Sequence, residues 1–423
     1  MRPMTMAEKV IARTAGKTEV QPGDIVWAVP DQVMIYDFPG HTTIWADAVR
    51  EVRPEGCLLA DRTTIFIDHF VPSPSPEVTE EHAKNRTWAK EQGFKFSEGK
   101  GLSLQVGAEM GLAKPGELIA HIDSHAFGFG ALGALTFGLQ TDVFSALALG
   151  KVWLEVPRTI QVRLTGSFKP GVDGRDLIHK IIQDHGGDWA HGCCLEFGGP
   201  GALNMSIDQR MATMIMLVFT GALTGAFQYD AVVEEYLAKR GITGFKAEFS
   251  DKDAKIKEVV EYDLSEIEPM IVTPGSPSNV VPIEASIESH LDQGYICTCA
   301  SGRLEDLAVA AKILAGKKIK ENFKLYVVPS SKEVFVNALE EGYIQTLIEA
   351  GAFISSSSCD YCNGKTAALM PGQTAISTAT LNVPGRMGSV DANIYLANVA
   401  TVAASAIYGK ISDPRNLLQE RGE

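Results

Sequence analysis

Short β-branched and apolar runs alternate with amphipathic stretches along most of this chain, and glycines repeatedly separate the two. The runs at 58–67, 118–122, 159–164 and 324–328 predict strands. The stretches at 80–92, 174–183, 232–239 and 304–314 are amphipathic and predict helices. Such alternation predicts α/β domains with largely buried sheets, and functional residues at strand ends and in Gly-rich loops. The apolar stretch 211–227 is interrupted by Thr213, Thr220, Gly221, Thr224 and Gly225. It is short for a membrane span and reads as a buried helix.

Two places read as joints. Near Val156 and Pro157 the chain is expected to leave a helix and enter the strand at 159–164. The segment 261–282 contains Pro269, Pro274, Gly275, Pro277 and Pro282 and is expected to be loop-like; the charged stretch 252–257 before it reads as a solvated face. These joints divide the chain into 1–156, 157–262 and 263–423, with no short repeat or low-complexity tract.

Length agrees with that division, since 423 residues exceed one ordinary core. With 45% hydrophobic and 21% charged residues the chain reads as well packed. A net charge of -14 argues against non-specific nucleic-acid binding, which needs a basic face, but leaves room for local cations gripping an anionic substrate. The N-terminal segment lacks the apolar core of a secretory signal, and no membrane segment is expected. Seven cysteines without such a signal imply a reducing compartment, so a cytoplasmic location is expected.

The thiols add chemistry. Cys359 and Cys362 stand two residues apart around Asp360 and Tyr361, and Cys299 lies alone upstream. One plus two thiolates can hold three corners of an iron–sulfur cube and leave one iron open as a Lewis acid. The same spacing suits zinc or a redox disulfide, and the thiols alone leave these alternatives open.

Three segments resemble the aconitase superfamily. Cys299-Ala-Ser-Gly-Arg303-Leu-Glu-Asp-Leu is similar to its first cluster-ligand segment and Cys359-Asp-Tyr-Cys362-Asn-Gly to its second. Leu381-Asn-Val-Pro-Gly-Arg386-Met-Gly resembles its substrate-arginine segment, while Asp68-His69 and Asp123-Ser124-His125 match the Asp-His and Asp-Ser-His motifs. The agreement runs in order over essentially the whole chain and is nearest the large subunits of 3-isopropylmalate dehydratase and homoaconitase.

The resemblance implies three α/β/α domains around a central [4Fe-4S] cluster held by Cys299, Cys359 and Cys362. The sequence ends soon after the third domain without a swivel domain, so a small swivel-domain subunit is expected to complete the site, as a heterodimer or heterotetramer. In the family, Asp68-His69 helps protonate the leaving hydroxyl, and Asp123 with His125 forms a second acid–base set. Ser124 and Arg386 are expected to bind substrate, the guanidinium fork suiting a carboxylate. Apart from the family, Arg386 reads as a surface loop residue, His69 as a buried hydrogen-bonding group, and Asp123-Ser124-His125 as a helix cap.

Other positions depart from the family. Leu104 stands where a histidine is expected, Ile215 and Phe219 where asparagine and glutamate are, Leu381 for an arginine, and Ser301 for an asparagine. Polar groups become apolar, so the pocket is expected to be drier and the substrate to carry fewer carboxylates or more hydrocarbon. The expectation is a hydro-lyase acting on an alkylmalate-like or less charged 2-hydroxy acid. A non-catalytic iron–sulfur sensor built on the same fold is the competing reading. Cys297 shares strand alternation with Cys299 and could approach the cluster, though packing alone would explain it; Cys57, Cys193 and Cys194 read as structural.

Overall fold

The computed structural model describes residues 2–38, 40–287 and 289–419. The chain forms two compact units. One comprises Met1–Glu98, Val106–Gly166 and Asp188–Tyr262; the other comprises Gly99–Gln105, Ser167–Gly187 and Asp263–Glu423.

In the first unit, a short antiparallel ribbon joins β1 (Ile25–Ala28) to β7 (Val152–Glu155). A five-stranded parallel sheet contains β2 (Gln32–Tyr36), β3 (Thr63–Ile67), β4 (Lys95–Glu98), β5 (Leu118–His121) and β6 (Leu135–Gly138), in the order β4-β3-β2-β5-β6. All five residues of β3 are buried, as expected of a parallel strand covered on both faces. Its helical cover includes Pro76–Gln92, which starts earlier than the apolar pattern suggests. Ser75 caps it, Pro76 occupies the first turn, and Gly93 closes it in a left-handed conformation. Trp88 on this helix meets Phe94 edge-on, with centroids 5.1 Å apart, in a core shared with Val33, Ile35, Ile65 and Phe144.

A second sheet in the order β10-β9-β8-β11 is formed by β8 (Arg158–Thr165), β9 (Cys193–Gly198), β10 (Thr224–Phe227) and β11 (Glu258–Asp263). Cys193 and Cys194 lie within β9 and are buried.

Three local expectations are corrected here. The strand expected at 58–67 begins only at Thr63, because Leu59 takes a positive φ of 53° and Ala60–Arg62 forms a 3-10 turn. The chain reaches Val156 from the strand β7, not from a helix. The stretch 211–227 is not one helix. Helix Ile207–Ile215 tightens into the 3-10 segment Met216–Thr220, Gly221 turns the chain at φ 79°, and β10 follows.

The second unit is built on a seven-stranded sheet. It contains β12 (Met270–Val272), β13 (Val280–Pro282), β14 (Gln293–Ile296), β15 (Lys324–Val327), β16 (Phe353–Ile354), β17 (Thr374–Ser377) and β18 (Asn393–Leu396). Their order is β13-β12-β18-β17-β14-β15-β16, parallel except at β12. The segment 261–282, expected as loop, thus contains strands. Pro269 and Pro282 sit at strand ends, where a missing N–H costs little. Helices Leu304–Leu314, Tyr343–Ala350 and Val399–Tyr408 supply apolar residues to the core of this unit.

Buried polar groups brace the sheet. Asp176, on helix Gly174–His185, accepts the N–H of Met270 at 2.8 Å and the amide of Asn398 at 2.6 Å. Arg175 donates to the carbonyls of Thr378 and Ala379, just beyond β17. Thr378 in turn exchanges bonds with Cys297, accepting its N–H at 2.9 Å and donating to its carbonyl at 3.0 Å. The loops leaving β14 and β17 are therefore fixed to each other. No described helix is long and apolar enough to cross a membrane.

Candidate active site and metal centre

In the second unit, the candidate metal ligands follow the carboxyl ends of parallel strands. Cys299 comes shortly after β14, and Cys359 and Cys362 lie in the 3-10 turn Cys359–Asn363 beyond β16. Ends of parallel strands are where an α/β sheet leaves backbone free to form a site. Thr298 carries φ 77°, unusual for a β-branched residue, and turns the chain between the buried Cys297 and Cys299. The Cys359 turn starts from Ser358, whose hydroxyl accepts the Asp360 N–H at 3.4 Å and donates to the Asp360 carboxylate. Arg303, buried after Cys299, donates to the Cys299 carbonyl and opens helix Leu304–Leu314.

Arg386 joins this set from the loop after β17. Its Nη2 donates to the Cys362 sulfur at 3.1 Å. Burial by itself would pull the guanidinium down, but Cys362, Cys359 and Cys299 together raise it above its ordinary value. All three candidate thiols therefore act on one cation. The Cys297 thiol is pushed well up by burial first and by the neighbouring Cys362 next; the Ser377 hydroxyl offsets part of this. It stands beside the set as a neutral neighbour.

The candidate acid–base residues lie in the first unit. Asp68 and His69 leave the end of β3, both buried, with Asp68 Oδ1 2.7 Å from His69 Nδ1. Aromatic rings hem in the imidazole: Tyr36 at 4.9 Å between centroids, and Phe38 at 5.7 Å edge-on. Asp123, Ser124 and His125 begin the 3-10 segment Ser124–Leu132. Asp123 Oδ1 accepts the His125 N–H at 2.8 Å and meets His125 Nδ1 at 2.9 Å. The helix-cap role and the carboxylate–imidazole pair thus coexist. Burial pushes the Asp123 carboxyl up, but the charge and hydrogen bonds of His125 hold it well below the usual range. Gly138, at the end of β6, makes room for this turn, since a Cβ there would stand 2.6 Å from Ser124 Cα.

Three side chains escaped the sequence reading. His121, the last residue of β5, accepts the Asp123 N–H on Nδ1 at 2.8 Å and is therefore a neutral ring. Burial lowers it to about 4 against the pull of Asp123 and Asp68, so it lies within the field of both dyads. Asp37 follows β2 and His82 projects from helix Pro76–Gln92; both are buried beside Asp68 and His69. The only sequence signal for His121 or Asp37 was a polar residue ending an apolar run.

The substituted positions have distinct settings. Leu104 and Ile215 are buried outright. A Cβ on Gly128 would lie 2.8 Å from Ile215 Cγ1, so the larger side chain at 215 is matched by a glycine facing it. Phe219 is half-buried, its ring 6.2 Å from that of His125. Leu381 is half-buried, and Ser301 is buried with no hydrogen-bond partner for its hydroxyl among the described residues.

Comparison with known proteins shows the family of this chain. The model of the aconitase family (aconitate hydratase) matches residues 9–292 and 286–409. The 3-isopropylmalate dehydratase large subunit of Hydrogenobaculum sp. is 38% identical over 420 residues, covering 98% of this chain and 99% of the relative. Large subunit 2 of Archaeoglobus fulgidus is 39% identical over 420 residues, covering 98% and 99%. Large subunit 1 of Pyrococcus furiosus is 38% identical over 426 residues, covering 99% and 100%. Among solved structures, Thermococcus kodakaraensis aconitase X (holo-form) aligns with a TM-score of 0.49 at 14% identity over 84% of each chain.

Proposed function

We infer that this chain, which belongs to the aconitase family, is the large subunit of an iron–sulfur hydro-lyase acting on an alkylmalate-like or less charged 2-hydroxy acid. The observation that carries the reading is the bond from the Arg386 guanidinium to the Cys362 sulfur at 3.1 Å, with Cys359 in the same turn as Cys362 and Cys299 in the loop after β14, both adding to the field at that guanidinium. These residues fit a [4Fe-4S] cluster: Cys359 and Cys362 from one turn and Cys299 from the loop after β14 make a set of three thiolate donors, which would hold three of its irons and leave the fourth open, whereas a structural zinc site takes four protein ligands. When bound, the cluster supplies an iron without a thiolate as Lewis acid toward a substrate hydroxyl.

The remaining roles belong to side chains. Arg386 offers a charged fork to a substrate carboxylate, and its Nε has no partner among the described residues. As an imidazolium, held on Nδ1 by Asp68, His69 is suited to deliver its Nε2 proton to the departing hydroxyl and is left as the neutral ring protonated on Nδ1. Asp123 and His125 supply a second carboxylate–imidazole pair, and Ser124 a hydroxyl for the substrate. The carbon base and further cations are expected on a small swivel-domain subunit, assembled as a heterodimer or heterotetramer. We retain the three-domain division 1–156, 157–262 and 263–423, supported by one of the three larger sheets starting in each span.

Leu381 in place of a guanidinium removes charge-assisted bonds worth roughly 1.5–3 kcal/mol each to a bound carboxylate. An alkyl group gains about 0.8 kcal/mol per methylene on burial. The test is turnover of citrate, isopropylmalate and smaller alkylmalates by the anaerobically reconstituted two-subunit protein. An alkylmalate is expected to have the highest kcat/KM, and the large chain alone to be inactive. Citrate as the best substrate, or robust turnover without a second polypeptide, overturns the assignment.

A further inference from the structure

Behind the Asp68–His69 dyad lies a second buried pair that touches no reacting atom in the scheme above. Asp37 is wholly buried at the end of β2. Its backbone N–H donates to the Phe66 carbonyl at 2.9 Å, and its Oδ1 accepts the N–H of Asp68 at 3.3 Å. The ends of β2 and β3 are thus tied by two bonds through one residue. Oδ2 of Asp37 lies 2.8 Å from Nε2 of His82, a buried side chain on helix Pro76–Gln92. The N–H of that ring is not aligned for a hydrogen bond, so this is a close polar contact rather than a saturated one. Ligand atoms of Asp37, Asp68 and His69 all fall within 4.8 Å of one another.

We propose that Asp37 and His82 are positioning residues for the Asp68–His69 acid: His82 sets Asp37, and Asp37 sets Asp68. The proposal rests on His69 being the proton donor to the leaving group. An apolar pair would brace the helix against the sheet at lower cost, because a buried carboxylate is expensive unless its oxygens are used. Here one oxygen is hydrogen-bonded and the other is placed 2.8 Å from a ring nitrogen, on different elements. One takes the N–H of a dyad residue; the other faces an imidazole on a separate helix. By holding that N–H, Asp37 fixes the backbone where the chain leaves β3, and with it the direction of the Asp68 carboxylate. That carboxylate selects the His69 tautomer and ring plane, as carboxylates behind catalytic imidazoles do. Tyr36 and Phe38 restrict the ring on its flanks.

The experiment uses the reconstituted two-subunit protein for kinetics and the histidine-15N-labelled large chain for spectroscopy. His69 signals are identified by their loss in His69→Gln. In the wild type, the neutral His69 ring, the form left after it has given up its Nε2 proton, is expected in one tautomer, protonated on Nδ1. His82→Leu should lower kcat by about ten- to a hundredfold with KM changed by less than about threefold, and should mix the His69 tautomers. His82→Gln, which restores a donor to Asp37, should recover most of the rate and the single tautomer. Asp37→Asn should repeat the His82→Leu signature. Wild-type kcat and an unmixed His69 signal in folded His82→Leu overturn the proposal, as does an equal loss in the Gln and Leu variants. Absence of turnover in the wild-type pair counts against the proposed reaction, and the tautomer signals then decide the positioning role by themselves.

Discussion

Gly364→Ala tests whether the cysteine turn is seated against the Arg386 loop. Gly364 closes the turn Cys359–Asn363 at φ 69°. A Cβ there would stand 2.5 Å from the Gly388 N, 2.6 Å from the Met387 carbonyl carbon and 3.0 Å from Met387 Cα. All three atoms are backbone, and none can rotate away. A left-handed alanine costs about 1 kcal/mol, and forcing packed backbone apart adds about 1–3 kcal/mol. Gly372 provides the control, with φ 80° and nothing within 4 Å of the same added atom, so Gly372→Ala carries only the conformational cost. The assay is iron and sulfide per chain after anaerobic reconstitution, followed by the rate of cluster loss to a chelator. A difference of about 2 kcal/mol between the two variants corresponds to roughly thirtyfold in cluster retention. Gly372→Ala should load like the wild type, whereas Gly364→Ala should load poorly and bleach faster. Equal loading and equal loss in the two variants would refute the argument that this contact holds the thiols in place.

Two other outcomes are expected. Replacing Cys299, Cys359 or Cys362 singly with Ser should abolish the visible absorption of the reconstituted chain, and full retention of iron and sulfide in all three variants would remove the case for the cluster. His121 should give the fold an acid sensitivity: its folded value of about 4 lies below the usual 6.5, so the unfolded chain takes up a proton first as pH falls. Stability from this group is present above pH 6.5 and lost on the way to pH 4, by on the order of 3 kcal/mol. Asp37, raised to about 6 mainly by burial, works in the opposite sense over nearly the same range. His121→Asn, which keeps an acceptor for the Asp123 N–H, should therefore lose less stability than the wild type between pH 6.5 and 4 in urea titrations. Parallel pH curves would contradict the assignment.

Much of the architecture was legible because it is local. Helix Leu304–Leu314 occupies the span its apolar spacing predicts, and Asp306 reaches back to the Arg303 N–H at 3.0 Å as a first-turn acid should. The strands β5, β8 and β15 likewise fall where β-branched runs are densest. Failures occurred where one residue's backbone overrode the pattern. Leu59 at positive φ delayed β3, and Gly221 let the stretch 211–227 change from helix to strand. Composition shows an apolar run but does not show where the chain reverses within it.

The sequence by itself determined the α/β class, the order of the motifs, the family, and the thiols, dyads and arginine that identify a candidate site. Each of these is a residue type at a fixed spacing, or a periodicity that a helix or strand imposes on its neighbours. Only the tertiary structure decided that Arg386 bonds to Cys362, that Arg175 braces Thr378, and that His82 stands behind Asp37 and Asp37 behind Asp68. Those pairings depend on the register of parallel strands whose connections run through intervening helices, so no local spacing encodes them. Burial then sets their energetics, since a carboxylate or imidazole that is ordinary in water acquires a shifted affinity for its proton once the fold has removed the solvent and chosen its neighbours.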